Sequence, residues 1–322
     1  MAHSRSHEES WPELPIEAWG STCDTLHMWT QIVGKTRLAL SPFLNHWWQV
    51  PLYVSARGLT TSPIPYGERF FEVIFDLNGH NLFIHTSEGR TKALPLLERS
   101  VASFHEEYFR ALRALDLDVH IWNMPVEVPD PIPFDEDEEH ASYDPLWANR
   151  FFRALLQADA LLKRFASGFQ GKQSPVHFFW GSFDLAGTRF SGRPAPPRPG
   201  ADRINREAYS HEVASFGFWP GRSGVCDAIF YAYAAPEPGG FASAKAAPAS
   251  AGYLEPLREF VLPYEQVRRS ATPGEDVLAF FQSVYEAASS AGWDKQALDR
   301  LPRPAQAAKG GGEHPPVHPA GE

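Results

Sequence analysis

Residues 46–65, HWWQVPLYVSARGLTTSPIP, line up with residues 177–196, HFFWGSFDLAGTRFSGRPAP. In each stretch a histidine leads an aromatic pair, an extended run follows, and an arginine and prolines come after it. The segments downstream correspond as well. FFEVIFD (70–76) aligns with SHEVASF (210–216), which places Glu72 on Glu212. Self-similarity at this spacing reads as an internal duplication.

Working outward, each copy is preceded by a helical pattern. In the first, Ser21 and Asp24 have capping-box spacing, with Asp in place of Glu, and Leu26, Trp29, Val33 and Leu40 recur at near-helical intervals. In the second, Asp144 is placed to cap, Pro145 suits the first helical position, and Phe152, Leu155, Leu162, Phe165 and Phe169 form one stripe. Both helices run into Ser-Pro, at Ser41-Pro42 and Ser174-Pro175. Proline lacks the helical donor and pushes its predecessor to extended geometry, so a strand can begin there. Three extended runs follow in each copy: 47–57, 70–77 and 82–86, then 176–185, 209–219 and 228–234. Asn78-Gly79 marks a hairpin, because both residues tolerate positive φ. Ser100 and Thr272 open the closing helices, and residues 119–122 and 259–262 read as added strands. The fold class is therefore α+β, with tandem α-β-β-β-α units whose antiparallel sheets pack on helices. The boundaries read as an arm over 1–18, a first repeat over 19–124, an acidic proline-rich connector over 125–143, a second repeat over 144–301 and a disordered tail over 302–322.

At 322 residues and 43% hydrophobic content, the chain can bury one large core or two coupled ones. A formal charge of −10 without a local Lys/Arg cluster argues against a nucleic-acid partner. No apolar run reaches membrane-spanning length, and Cys23 and Cys226 lack metal-site spacing or a disulfide framework. These features read as a reduced, cytoplasmic protein with neither a nucleic-acid nor a membrane partner. No motif specifies a cofactor, a metal or an oligomeric state. The acids at 135–139 read as a solvated charge run, and His314 and His318 as tail residues rather than ligands.

Strand alternation sorts the remaining candidates. Phe71, Val73, Phe75 and Leu77 share an apolar face that helices should cover, whereas Phe70, Glu72, Ile74 and Asp76 form a mixed face resembling a pocket wall. His177, Phe179, Gly181, Phe183 and Leu185 alternate with Phe178, Trp180, Ser182 and Asp184 along what reads as one strand covered on both faces. Arg57 and Arg189 end equivalent strands, beside Glu72 and Glu212 on their neighbours. Two readings stand. The pairs are a duplicated salt bridge, or the arginines clamp an anionic group while a carboxylate serves as base or metal ligand. His211 and Glu212 are adjacent, so on a regular strand they face opposite ways, which argues against a joint metal site. His46 and His177 are separate candidates, for which a satisfied structural role is the commoner outcome. The nucleophile elbow, the phosphate loop and the dinucleotide fingerprint are absent.

The runs LHMWTQIVGKTRLALSP, NHWWQVPLYVSARGLTTSPIPYG, IWNMPVEVPDPIPF, SPVHFFWGSFDLAGTRFSGR and AYSHEVASFGFWPG resemble the signature stretches of a bacterial family, domain of unknown function five-nine-nine-six. The likeness runs from about Trp11 to Trp293 and implies kinship alone, with no activity, ligand or catalytic residue to transfer. By analogy of fold only, residues 119–122 with the helix and strands after them are similar to the module of vicinal-oxygen-chelate enzymes, which bind a metal through histidine and carboxylate. A curved sheet on helices around an apolar cavity, as in helix-grip binders, is the other comparison.

The resulting expectation is a protein that binds or transforms a small anionic or aromatic molecule in a pocket between the duplicated sheets. Glu212, Asp184 and His211 are the catalytic candidates; Arg57, Arg189, Glu72 and Trp180 are the ligand-binding candidates. The alternatives are a non-catalytic binding module and a scaffold or interaction protein in which the Arg/Glu pairs are purely structural.

Overall fold

The computed structural model describes residues 10–222 and 225–300. The tail and its two histidines, His314 and His318, lie outside them.

Helix α1 (Ile16–Leu40) is buried nearly all round rather than along a stripe: Trp19, Thr25, Trp29, Gln31, Ile32, Val33 and Thr36 are all at 0% exposure. A helix enclosed on every side runs through a core, not over its surface. It begins at Ile16, five residues before the Ser21 box expected to open it. The cap comes instead from tertiary structure, since the Ile16 amide donates to Asp227 Oδ1 at 2.9 Å. Trp11, Leu14 and Ile16, assigned to the arm, enter the same core.

The first sheet comprises β1 (Tyr53–Val54), β2 (Gly58–Thr60), β3 (Ile64–Tyr66), β4 (Arg69–Asp76), β5 (Asn81–Thr86) and β6 (Thr91–Pro95). Its order is β1-β2-β4-β5-β6, with β3 also pairing β4, and every pairing is antiparallel. The hairpin expected at Asn78-Gly79 forms, with both amides donating to Asp76 Oδ1 at 3.0 and 2.9 Å, but the left-handed residue of the turn is His80, φ 51°, not Asn78 or Gly79. Phe71, Val73, Phe75 and Leu77 are buried beneath helices as alternation requires, and the opposite face leaves Phe70 at 48% exposure. Helix α2 (Val101–Arg113) carries its Ser100 cap, which accepts from the Ser103 amide.

Helix α3 (Pro145–Ala166), capped by Asp144, leads to the second sheet: β7 (His177–Phe179), β8 (Asp184–Pro194), β9 (His211–Trp219), β10 (Ile229–Ala235), β11 (Gly252–Leu254) and β12 (Glu259–Pro263). The order is β11-β12-β10-β9-β8-β7, again antiparallel. Short helices α4 (Arg203–Ala208) and α5 (Tyr264–Arg269) precede α6 (Pro273–Ser289), which packs with α3 on the inner face, and α7 (Lys295–Leu298) follows. The two sheets meet edge to edge through paired backbone bonds between Leu52 and Phe178, 2.9 and 2.8 Å long.

Three expected strands are corrected. Residues 45–47 form a 3₁₀ turn with His46 and Trp47 in the left-handed region, φ 58° and 61°. His46 is held there by Glu207, whose Oε1 accepts from its amide at 3.2 Å, and by Lys172, whose Nζ donates to Nε2 at 2.7 Å. The 176–185 run is a hairpin, not one strand, because the chain reverses between β7 and β8 with Phe183 at φ 61°. Residues 119–122 pair with no strand, so the module compared with metal-chelating enzymes lacks its leading strand. Among the described residues no group of three or more His, Cys, Asp or Glu could hold a metal ion, and no helix is long and apolar enough to cross a membrane.

The aligned stretches thus agree in part. Thr60 Oγ1 donates to Glu72 at 2.5 Å and its aligned counterpart Ser191 donates to Glu212 at 2.8 Å. At their first residues the backbones differ, His46 in a turn and His177 in a strand.

Candidate ligand-binding cleft

The second sheet has two unlike faces. Inward, Leu185, Phe216, Phe218, Phe230 and Phe260 join the main core. Outward, Ala186, Ile229 and Tyr231 form a second apolar cluster with Phe179, Trp219, Tyr233 and Val261. A cleft of about 620 Å³ opens over this outer face, lined by Glu127, Asp184, Tyr209, Trp219, Tyr231, Tyr233 and Glu259 among others.

Asp184 occupies its floor at the start of β8. One carboxylate oxygen accepts from Ser182 Oγ and the other from Tyr231 Oη. Tyr231 reaches Asp184 from β10 by crossing the intervening strand. In register it faces Gly217, which pairs in turn with Ala186 on β8. A Cβ at residue 217 would lie 2.3 Å from the Tyr231 ring, so only glycine lets the ring pass. Tyr233 lies parallel to Tyr231, ring centroids 6.2 Å apart, and its hydroxyl meets that of Tyr209 at 2.8 Å.

Burial raises the Asp184 carboxyl above its ordinary range. Glu259, at the start of β12, is pushed up to about 7, first by burial and then by the Asp184 charge. Glu127 enters from the connector with a left-handed backbone, φ 57°. Exposed on its outer side, it too is raised where it meets the cleft wall, by partial desolvation and then by Asp184, against an opposing pull from Arg222. Burial also raises Tyr209, Tyr231 and Tyr233, which keeps their hydroxyls protonated donors near neutrality. Near the mouth, Arg258 pairs with Glu237 at 3.3 Å and Arg198 stacks over Tyr209 at 3.8 Å. Such a site can hold a flat molecule against tyrosine rings, donate several hydrogen bonds, and exchange a proton near neutral pH.

Of the candidates read from sequence, Asp184 lines this cleft. The others lie elsewhere. Glu212 accepts from Arg193 Nε at 2.9 Å as well as from Ser191. His211 contacts Ser210 Oγ at 3.1 Å, and its ring lies 5.7 Å from that of His46. Glu72 is bonded to Thr60, and Arg57 pairs with Asp76 through an Nε contact of 2.8 Å. Arg189 is buried on the helix side, donating to the Phe165 carbonyl at 2.6 Å with its guanidinium over the Phe165 ring. Trp180 donates from Nε1 to the Val50 carbonyl at 2.9 Å and packs against Gly34. His177 is fully enclosed by Trp48, Tyr53 and Phe179 rings, and burial holds it neutral with a pKa of about 3.

The expected partners of both arginines are therefore corrected. The ion pairs are Arg57–Asp76 and Arg193–Glu212. In the second sheet Arg189 stands opposite Ala214, not Glu212, and turns to Phe165; past the register shift in β8 between Phe190 and Pro194, Arg193 comes to Glu212 instead. The cleft also lies on the outer face of the second sheet and not between the two sheets.

Sequence reasoning missed Glu127, Gly217, Tyr231, Tyr233 and Glu259. Three carried a signal: Tyr231 and Tyr233 alternate within IFYAYAA, and Gly217 interrupts an otherwise bulky strand. Glu127 carried none, because a connector has no periodicity to orient it.

Comparison with known proteins found no match among curated proteins and none among solved structures. One family description, "Family of unknown function (DUF5996)", matches residues 11–300. Extending through both sheets and the cleft between its limits, that match shows that the chain belongs to the DUF5996 family.

Proposed function

We propose that this protein binds a small molecule with a flat or aromatic body in the cleft over the second sheet. Tyr231, Tyr233 and Trp219 form the apolar wall in this reading. Asp184 and Glu259 meet the ligand's polar atoms and are available for proton transfer, while Arg198 and Arg222 meet any anionic group. The Arg57–Asp76 and Arg193–Glu212 pairs then act as fasteners outside the site. Both cysteines are unpaired, which fits a reducing, cytoplasmic setting.

One observation carries the reading: a buried carboxyl, Asp184, sits on the open face of a sheet, bonded by a tyrosine that crosses a glycine to reach it. Apolar residues of similar volume would cost less there, since desolvating a carboxyl is costly, and a costly group kept in a cleft supports a role in binding. The test is native mass spectrometry and thermal-shift screening of the full chain against aromatic acids, amines and phenols. Asp184→Asn and Gly217→Ala should remove binding while leaving a folded protein. Unchanged binding in both, or no bound molecule with the wild type, would overturn the proposal.

A further inference from the structure

One wall of the cleft does not come from the sheet. Connector residues 125–131 run past it, with Glu127 facing the cleft, while Pro125, Val128, Pro129, Asp130 and Pro131 line a second cavity of about 180 Å³ beside α1. Arg222 lines both spaces, and its Nη2 donates to the Glu127 carbonyl at 3.3 Å. The segment is thus a thin partition without helix or strand, and both Glu127 and Asp130 have left-handed backbones.

Its anchor is Gln31, at 0% exposure within α1. The Val126 amide donates to Gln31 Oε1 at 2.9 Å, and Gln31 Nε2 donates to the Val126 carbonyl at 2.9 Å. One carboxamide therefore satisfies both backbone groups of a residue 95 positions away, as a neighbouring strand would. One helical turn earlier, His27 Nε2 contacts the Gly181 carbonyl at 2.8 Å. Gly181 in turn leaves room for Glu127, because a Cβ there would lie 2.7 Å from its Oε1. The same helix grips the strap and the turn it leans on.

We infer that Gln31 is a positioning residue for the cleft, clasping Val126 so that Glu127 stands as a fixed wall toward Asp184. The inference rests on the cleft being the ligand site. The charged groups acting on Glu127 are Asp184 from β8, Arg222 beyond β9 and Asp202 ahead of α4. An apolar side chain at position 31 could fill the space but could not hold the peptide.

The experiment compares wild type, Gln31→Met and Glu127→Gln as full chains, following glutamate carboxyl carbons by NMR against pH, with thermal melting and amide exchange alongside. In Gln31→Met the Glu127 titration should return to the ordinary glutamate range and the Val126 amide should exchange about tenfold faster. A purely structural Gln31 would lower the melting temperature and leave the Glu127 titration in place, and that result overturns the inference. Should Gln31→Met fail to fold, Gln31→Glu keeps the acceptor but loses the donor, and it is judged by the same titration. The two readings fail separately. A wild type that binds none of the screened aromatic acids, amines and phenols defeats the cleft as a ligand site, whatever Glu127 does. Binding by wild type that Gln31→Met leaves unchanged, with Glu127 unmoved, defeats the positioning role alone.

Discussion

Replacing Glu259 with glutamine should stabilise the protein, by an amount that depends on pH. The folded chain holds the Glu259 proton up to about pH 7, against an ordinary value of 4.5. Each tenfold difference in proton affinity is worth about 1.4 kcal/mol, so the gap corresponds to roughly 3 kcal/mol. Below pH 4.5 the carboxyl is protonated in both folded and unfolded chains and has no effect on the balance. Between 4.5 and 7 the unfolded chain releases the proton and the folded chain keeps it, so stability falls with rising pH. Above 7 the full penalty is present. Glutamine does not titrate, so urea denaturation of both proteins from pH 4.5 to 8 should show the difference moving by about 3 kcal/mol in favour of Glu259→Gln. A difference that is flat with pH, or that moves toward the wild type, would refute the account of Glu259 as a half-buried carboxyl beside Asp184.

Gly34→Ala should cost about 3 kcal/mol or abolish folding, because a Cβ there would lie 2.3 Å from the Trp180 ring, which its bond to Val50 holds in place; urea denaturation measures the loss. Arg189→Ala should cost roughly 3 kcal/mol, since it removes a buried guanidinium packed over Phe165 and Tyr285, whereas Arg193→Ala should cost about 1 kcal/mol, as a partly exposed group bonded to Glu212 and to the Ala291 and Gly292 carbonyls. The reverse order in denaturation would contradict the burial of Arg189 and the exposure of the Arg193–Glu212 pair.

Local chemistry made much of the fold readable. The Asp144-Pro145 and Ser100 caps, the Asn78-Gly79 hairpin and the alternation of Phe71, Val73 and Phe75 each act over a few residues, and each is found in the structure. The start of α1 was not readable because its cap, Asp227, lies 211 residues away. Trp47 and Phe183 were misread as strand residues because left-handed backbone at a bulky side chain is imposed by tertiary contacts, such as Glu207 on the neighbouring His46, not by local preference.

The candidate site divides along the same line. Asp184 was found because it sits within an alternating aromatic run, yet its partners were hidden: Tyr231 is 47 residues on and Glu127 comes from an aperiodic strap. The sequence by itself determined the α+β class, the principal helices and the acidic, aromatic-rich character of the chain. Tertiary structure alone decided which arginine meets Glu212, which face of the second sheet is left open, and which carboxyls share it. Periodicity and caps are local interactions, whereas one bulge, one glycine under a tyrosine ring and one glutamine across a connector act only once the chain has closed on itself.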